Sequence, residues 1–244
     1  KHIPIDIDKA IYYYSLAAKQ NDAEAQYILG LIYDTGEHIA RDINKAIRYY
    51  SLAANQNHVR AQFNLGNIYD TGEYFPIDIN KAIYYYSLAA NQNDADAQFN
   101  LGNIYSTSKH IARDINKAIH YYSLAANQNH VRAQFNLGNI YYTGEYIERD
   151  INKAIRYFSL AAYQNHAEAQ FILGIFYYNR NFSISDRKKG IMYIILASRS
   201  GNRQANFAHG YLLHEGKNVK RNINEAIHYY KEASSFNNEF AKNN

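Results

Sequence analysis

Three asparagine pairs, Asn64/Asn67, Asn100/Asn103 and Asn136/Asn139, stand 36 residues apart, each behind a phenylalanine at 63, 99 or 135. A carboxamide both donates and accepts hydrogen bonds. A ladder of them can pair with the backbone of an extended peptide whatever its side chains, while the phenylalanines grip its apolar groups. Four residues before each pair, and at the same position in the two flanking copies, comes a charge of alternating sign: Glu24, Arg60, Asp96, Arg132, Glu168. Opposite signs in neighbouring copies favour register between them, although an exposed pair contributes only about 0–1 kcal/mol. Other chemistry finds little support. His58, His130 and His166 occupy one position in different copies. Packed helices lie about 8–10 Å apart, too far for one ion that takes ligands near ~2 Å. Ser51, Ser87, Ser123 and Ser159 have no base beside them, and neither a metalloprotease motif nor a phosphate loop is present. No catalytic residue, metal or cofactor is expected.

The elements that position these residues follow from the period. Asp42-Ile-Asn-Lys-Ala46 returns at Asp78, Asp114 and Asp150; the same register holds Asp6 before it and the weaker Asp186 and Asn222 after it. A fixed period of this length denotes stacked units, each touching mainly its neighbours. Within residues 22–57, Ala25, Leu29, Ile32 and Tyr33 recur at helical spacing, predicting a first helix from Ala23 to Asp34 with Asp22 as N-cap. His58, His130 and His166 replace that cap in other copies. Gly36 marks the turn. Asp42 caps a second helix running to about Gln56, and Asn57 or Gly201 follows where a left-handed residue is expected. Gly30 facing Ala46 and Ala53 lets the two backbones approach closely. At 100° per residue, Glu24, Tyr27, Ile28, Leu31, Asp34 and Thr35 fall on the side turned away from the second helix.

The pattern Ala25-Gln26-x-x-Leu29-Gly30-x-x-Tyr33-x-x-Gly36, then Asp42-x-x-Lys45-Ala46-x-x-Tyr49-Tyr50-x-x-Ala53-Ala54, resembles the Sel1-like repeat, a relative of the tetratricopeptide repeat with a longer inter-helix loop. The resemblance implies an all-α, right-handed solenoid of antiparallel helix pairs. One array is expected: a lone second helix over 1–21, pairs at 22–57, 58–93, 94–129, 130–165, 166–201 and 202–237, and the start of a further repeat at 238–244. It further implies that the side just named lines a concave, partner-binding groove. The face then comprises Arg60, Phe63, Asn64 and Asn67; Asp96, Phe99, Asn100 and Asn103; Arg132, Phe135, Asn136, Asn139 and Tyr142; and Tyr178. In the end repeats the amide positions are apolar: Ile28/Leu31, Ile172/Ile175 and Ala208/Tyr211. Departures from the pattern are Ser108 for the turn glycine, Asn179-Arg180 for a Thr-Gly turn, Gly190 for the helix alanine and His209 for a core leucine.

Residues 57–69 and 129–141 are identical, so the ladder also fits a solvated face copied by duplication, or a docking face for another domain of the same parent chain. The function expected is a non-catalytic scaffold or adaptor that binds a protein or peptide; the alternative is a regulatory or substrate-positioning array of a larger enzyme such as a protein kinase. A net charge of +4 dealt out a few residues per repeat argues against nucleic acid. No apolar run approaches the roughly 18 residues of a membrane span. The absence of cysteine excludes a disulfide framework and a thiol nucleophile, and suits a reducing, cytoplasmic setting. The chain opens within a repeat and has no initiator methionine, as expected of a segment of a longer protein. The Asn181-Phe-Ser183 sequon and the basic loop Lys217 to Arg221 read as a chance match and a solvated turn.

Overall fold

The computed structural model describes residues 6–37, 39–179, 183–216 and 218–234. His38, Arg180, Asn181, Lys217 and the proposed repeat start at 238–244 lie outside them. The described residues form thirteen α-helices and no strand. Their contacts divide them between two compact units, residues 1–130 and 131–244.

The first unit holds a lone helix, α1 (Ile7–Lys19), then the pairs α2 (Ala23–Thr35) with α3 (Ile43–Asn55), α4 (Val59–Thr71) with α5 (Ile79–Asn91), and α6 (Ala95–Thr107) with α7 (Ile115–Asn127). Each second helix begins at an aspartate whose Oδ1 accepts the N–H three residues on, as from Lys45 to Asp42 at 3.0 Å and Lys81 to Asp78 at 3.1 Å. These bonds to the carboxylate hold Asp42 and Asp78 below the ordinary aspartate range. A backbone bond from the same aspartate's N–H to a tyrosine carbonyl, Asp42 to Tyr33 at 2.9 Å, closes the loop. Left-handed backbone at Gly36 and Asn57 ends the helices. In this unit α4 lies close to both α2 and α6, so the first helices form the tighter layer.

Within a pair, a glycine admits the partner's aromatic ring. A Cβ on Gly66 would stand 2.5 Å from Tyr86 Cδ1, and the same interlock joins Gly30 to Tyr50 and Gly102 to Tyr122. Between pairs, a buried glutamine binds two neighbours. Gln62 Nε2 donates to the Ala54 carbonyl of the preceding helix at 3.2 Å, and Gln62 Oε1 accepts from Gln92 at 2.8 Å.

The second unit holds α8 (Val131–Thr143) with α9 (Ile151–Tyr163), α10 (Ala167–Asn179) with α11 (Ile184–Arg199), and α12 (Arg203–Glu215) with α13 (Ile223–Ser234). Here the repeat drifts. The register predicts a cap at Asp186, but α11 starts one turn earlier, with Ser183 Oγ accepting the Asp186 N–H at 3.2 Å. Gly174 and Gly190 face each other so closely that a Cβ on Gly190 would meet the Gly174 carbonyl oxygen at 2.8 Å. His209, at the leucine position, is buried against Ser198 Oγ at 3.3 Å and the Tyr229 ring. Burial lowers its pKa, so it sits there as neutral imidazole.

Candidate functional site: the first-helix face

In the first unit the amide ladder is largely occupied by the protein itself. Asn67 Oδ1 accepts from the Tyr86 hydroxyl at 2.7 Å and from Asn100 Nδ2 at 3.4 Å; Asn103 Oδ1 accepts from the Tyr122 hydroxyl at 2.8 Å. Asn64 shares a polar cavity of about 130 Å³ with Asp34, Arg41 and Asn67. The tyrosine hydroxyls also reach Asp34 from Tyr50 at 3.2 Å and Asp70 from Tyr86 at 3.4 Å. Burial, with these carboxylates beside them, pushes both phenols well above their ordinary range, so they remain donors. Burial raises the Asp70 carboxyl too, against the opposing Tyr86 bond.

Of the three phenylalanines expected to grip a ligand, Phe99 is buried, and Phe63 and Phe135 are half-buried. Phe99 is only 4% exposed, stacked on His130 with ring centroids 4.5 Å apart and tilted against Tyr122. Phe63 is half-buried against Tyr86. The reason is packing within the pair, where the first-helix ring covers the interlocked tyrosine, and for Phe99 the capping histidine that follows α7 closes the other side. The charge column is also wired differently. Glu24 reaches His58 Nε2 at 3.1 Å, not Arg60, and Asp96 reaches His130 Nε2 at 3.2 Å. His58 Nδ1 accepts the Ala61 N–H at 3.2 Å, which leaves the proton on Nε2 to point at the carboxylate. The capping histidine thus ties one pair to the next, while Arg60 stays exposed.

The second unit differs because two positions change together. Phe158 replaces the interlocked tyrosine, and Tyr142 replaces the carboxylate that would accept its hydroxyl; the rings meet edge-on at 6.1 Å. In the next pair Ile194 and Tyr178 hold the same two positions. The rim that is polar in the first unit is therefore aromatic here. Phe135 packs between Phe158 and His166; Asn136 and Asn139 are half-buried, and Arg132 is exposed. Burial lowers the His166 pKa, Arg132 adding to the effect and Glu168 opposing it.

Two cavities open on this first-helix face. One of about 500 Å³ runs from Tyr142 and Arg149 to Phe171 and Phe176. The other, about 820 Å³, continues from Phe171 past Tyr178 and Phe207 to Tyr211 and Arg203. Phe171, Ile175 and Asn179 line both, so they make one groove over α8, α10 and α12. Phe207 and Tyr211 are 60% and 43% exposed, in contrast to buried Phe99. Of the expected face only Tyr142 and Tyr178 line this groove. Sequence reasoning left out Phe171, Ile175 and Tyr211, although Ile175 and Tyr211 were legible as the apolar residues that interrupt the amide columns. Among the described residues no cluster of metal-ligating side chains occurs, and no helix is long and apolar enough to cross a membrane.

A profile described as Sel1 repeat matches residues 1–22, 23–58, 59–94, 95–130, 131–166, 167–202 and 203–235. Among solved structures, the chain is similar to a Sel1 repeat protein from Oxalobacter formigenes, with 30% identity over 88% of each chain and a TM-score of 0.73. It is also similar to c5321, a protective antigen present in uropathogenic Escherichia coli strains displaying an SLR fold: 25% identity and a TM-score of 0.57 over 94% of this chain and 57% of that one. No curated protein matches.

Proposed function

Since the chain belongs to the Sel1 repeat family, whose members are generally non-catalytic protein-interaction scaffolds, we propose that it holds an extended segment of a protein partner on the first-helix face of residues 131–234. The observation that carries this reading is the continuous groove through Phe171, Ile175 and Tyr211. Ligand sites are concave, mostly apolar surfaces with a few polar groups that orient the ligand. The amides of the first unit have a lesser part in this account, because Asn67 and Asn103 already satisfy the tyrosines.

Panning a display library of random dodecapeptides against the full chain tests the reading. Enriched peptides should lose binding on Ile175→Asp and keep it on Leu160→Asp, which alters an exposed leucine of α9 outside the groove lining. Peptides indifferent to Ile175 would refute it.

A further inference from the structure

The chemistry of the bound segment can be taken further, resting on the groove reading above. Residues 131–244 carry 15 Lys and Arg against nine Asp and Glu, a formal charge of +6; residues 1–130 carry 11 against 13, or −2. The second unit is the basic one, and its groove shares that sign. Among the described residues, the only charged ones lining it are Arg149 and Arg203, in the first and second cavities respectively. Arg149 Nε donates to the Tyr142 carbonyl at 2.8 Å, with the guanidinium 5.2 Å from the Tyr142 ring centroid. Arg203 Nε donates to the Ala233 carbonyl at 2.8 Å. Each guanidinium is thus anchored by one N–H, and no carboxylate among the described residues pairs with its outer nitrogens. That edge is the one that binds a carboxylate through two parallel bonds.

We infer that the groove takes an extended segment in which aliphatic residues alternate with acidic ones. Side chains alternate along an extended chain, so one set seats on Phe171, Ile175 and Tyr211 while the other reaches the arginines at the rim. Neighbouring first helices stand about 8–10 Å apart, so α8 to α12 spans roughly 16–20 Å. At about 3.3 Å per residue, five or six residues fill it.

The test uses three fluorescein-labelled octapeptides, alternating Leu/Glu, Leu/Ser and Leu/Lys, titrated into the full chain with anisotropy as readout. The Leu/Glu peptide should bind at least tenfold tighter than Leu/Lys in low salt, and the gap should narrow as ionic strength passes about 150 mM. Arg149→Ser with Arg203→Ser should erase the preference for Leu/Glu over Leu/Lys. Ile175→Asp and, at the more exposed position, Tyr211→Ala should weaken all three peptides, with far-UV circular dichroism confirming the fold of each variant. Equal affinity for the three, or tighter Leu/Lys binding, overturns the acidic assignment and leaves the groove standing if Ile175→Asp still abolishes binding. Binding insensitive to both groove variants, or no binding by any peptide, overturns both. A concentration-dependent dimer lost on Ile175→Asp also overturns the assignment, since the occupant is then a second copy.

Discussion

Gln170 provides the sharpest energetic test of the repeat logic. Its side chain is 1% exposed, and its Nε2 donates to the Ala162 carbonyl at 3.1 Å, but its Oε1 is a buried acceptor with no partner among the described residues. In the preceding pairs the equivalent oxygen accepts from the glutamine that closes the second helix: Gln56 to Gln26 at 2.8 Å, Gln92 to Gln62 at 2.8 Å, Gln164 to Gln134 at 2.9 Å. In the fifth pair that position is Ser200, too short to reach. The backbone there, φ −85° and ψ 9°, is close to the φ −90° and ψ 23° of Gln164, so Ser200→Gln can place its amide as the other copies do. Leaving a buried acceptor unmatched costs about 1–3 kcal/mol, and a satisfied bond contributes about 0.5–1.5 kcal/mol net. Ordering the new side chain takes back part of the gain. The expected outcome is a stabilisation of about 1 kcal/mol, roughly 4 °C in Tm for a unit of this size. Urea titrations followed by tyrosine fluorescence, in wild-type and Gln170→Leu backgrounds, isolate the pair as a double-mutant cycle. A gain present only when Gln170 is present supports the reasoning; equal effects in both backgrounds, or none, refute it.

Three further perturbations probe the interlocks. Gly66→Ala drives a Cβ to within 2.5 Å of the buried Tyr86 ring; overpacking of about 1–3 kcal/mol should exceed the helix-propensity gain of about 1 kcal/mol, and a Tyr86→Leu background should relieve it, as urea midpoints will report. Tyr86→Phe leaves Asn67 without its 2.7 Å donor and should cost about 1 kcal/mol by the same assay. The third concerns pH. The folded state lowers the His166 pKa below its ordinary 6.5, chiefly by burial, so the unfolded chain binds the proton more readily. Stability should be complete above about pH 6.5 and fall as pH drops toward the folded value. His166→Asn, the cap type found at Asn202, should flatten the fall in urea-derived stability between pH 7 and 5; an unchanged slope would count against it.

The helices were legible because each boundary has a local cause. At most boundaries an aspartate or histidine caps the start, a glycine or asparagine in the left-handed region follows the end, and the 36-residue register repeats both; extended Ser108 after α6 is an exception. The early start of α11 was hidden because the periodic Asp186 competes with Ser183, and spacing alone cannot rank two good caps. The binding face was harder to read. Helical geometry put Phe99 and Asn67 on the correct side, but whether a side chain on that side meets solvent depends on the next pair. His130 covers Phe99, and Tyr86 claims Asn67. The coupled change to Phe158 and Tyr142, which turns the rim aromatic, is visible in the sequence only once Tyr86 is known to reach Asp70.

Where an extended peptide sits on the chain separates the groove of residues 131–234 from any other surface. Methyl NMR of the full chain, labelled at Ile and Leu and titrated with a peptide selected by panning, reads this out. Shifts centred on Ile172 and Ile175, with Leu124 and Leu160 unmoved, are the predicted result. Shifts concentrated at Leu124 and Leu160, with the groove isoleucines unchanged, would contradict it.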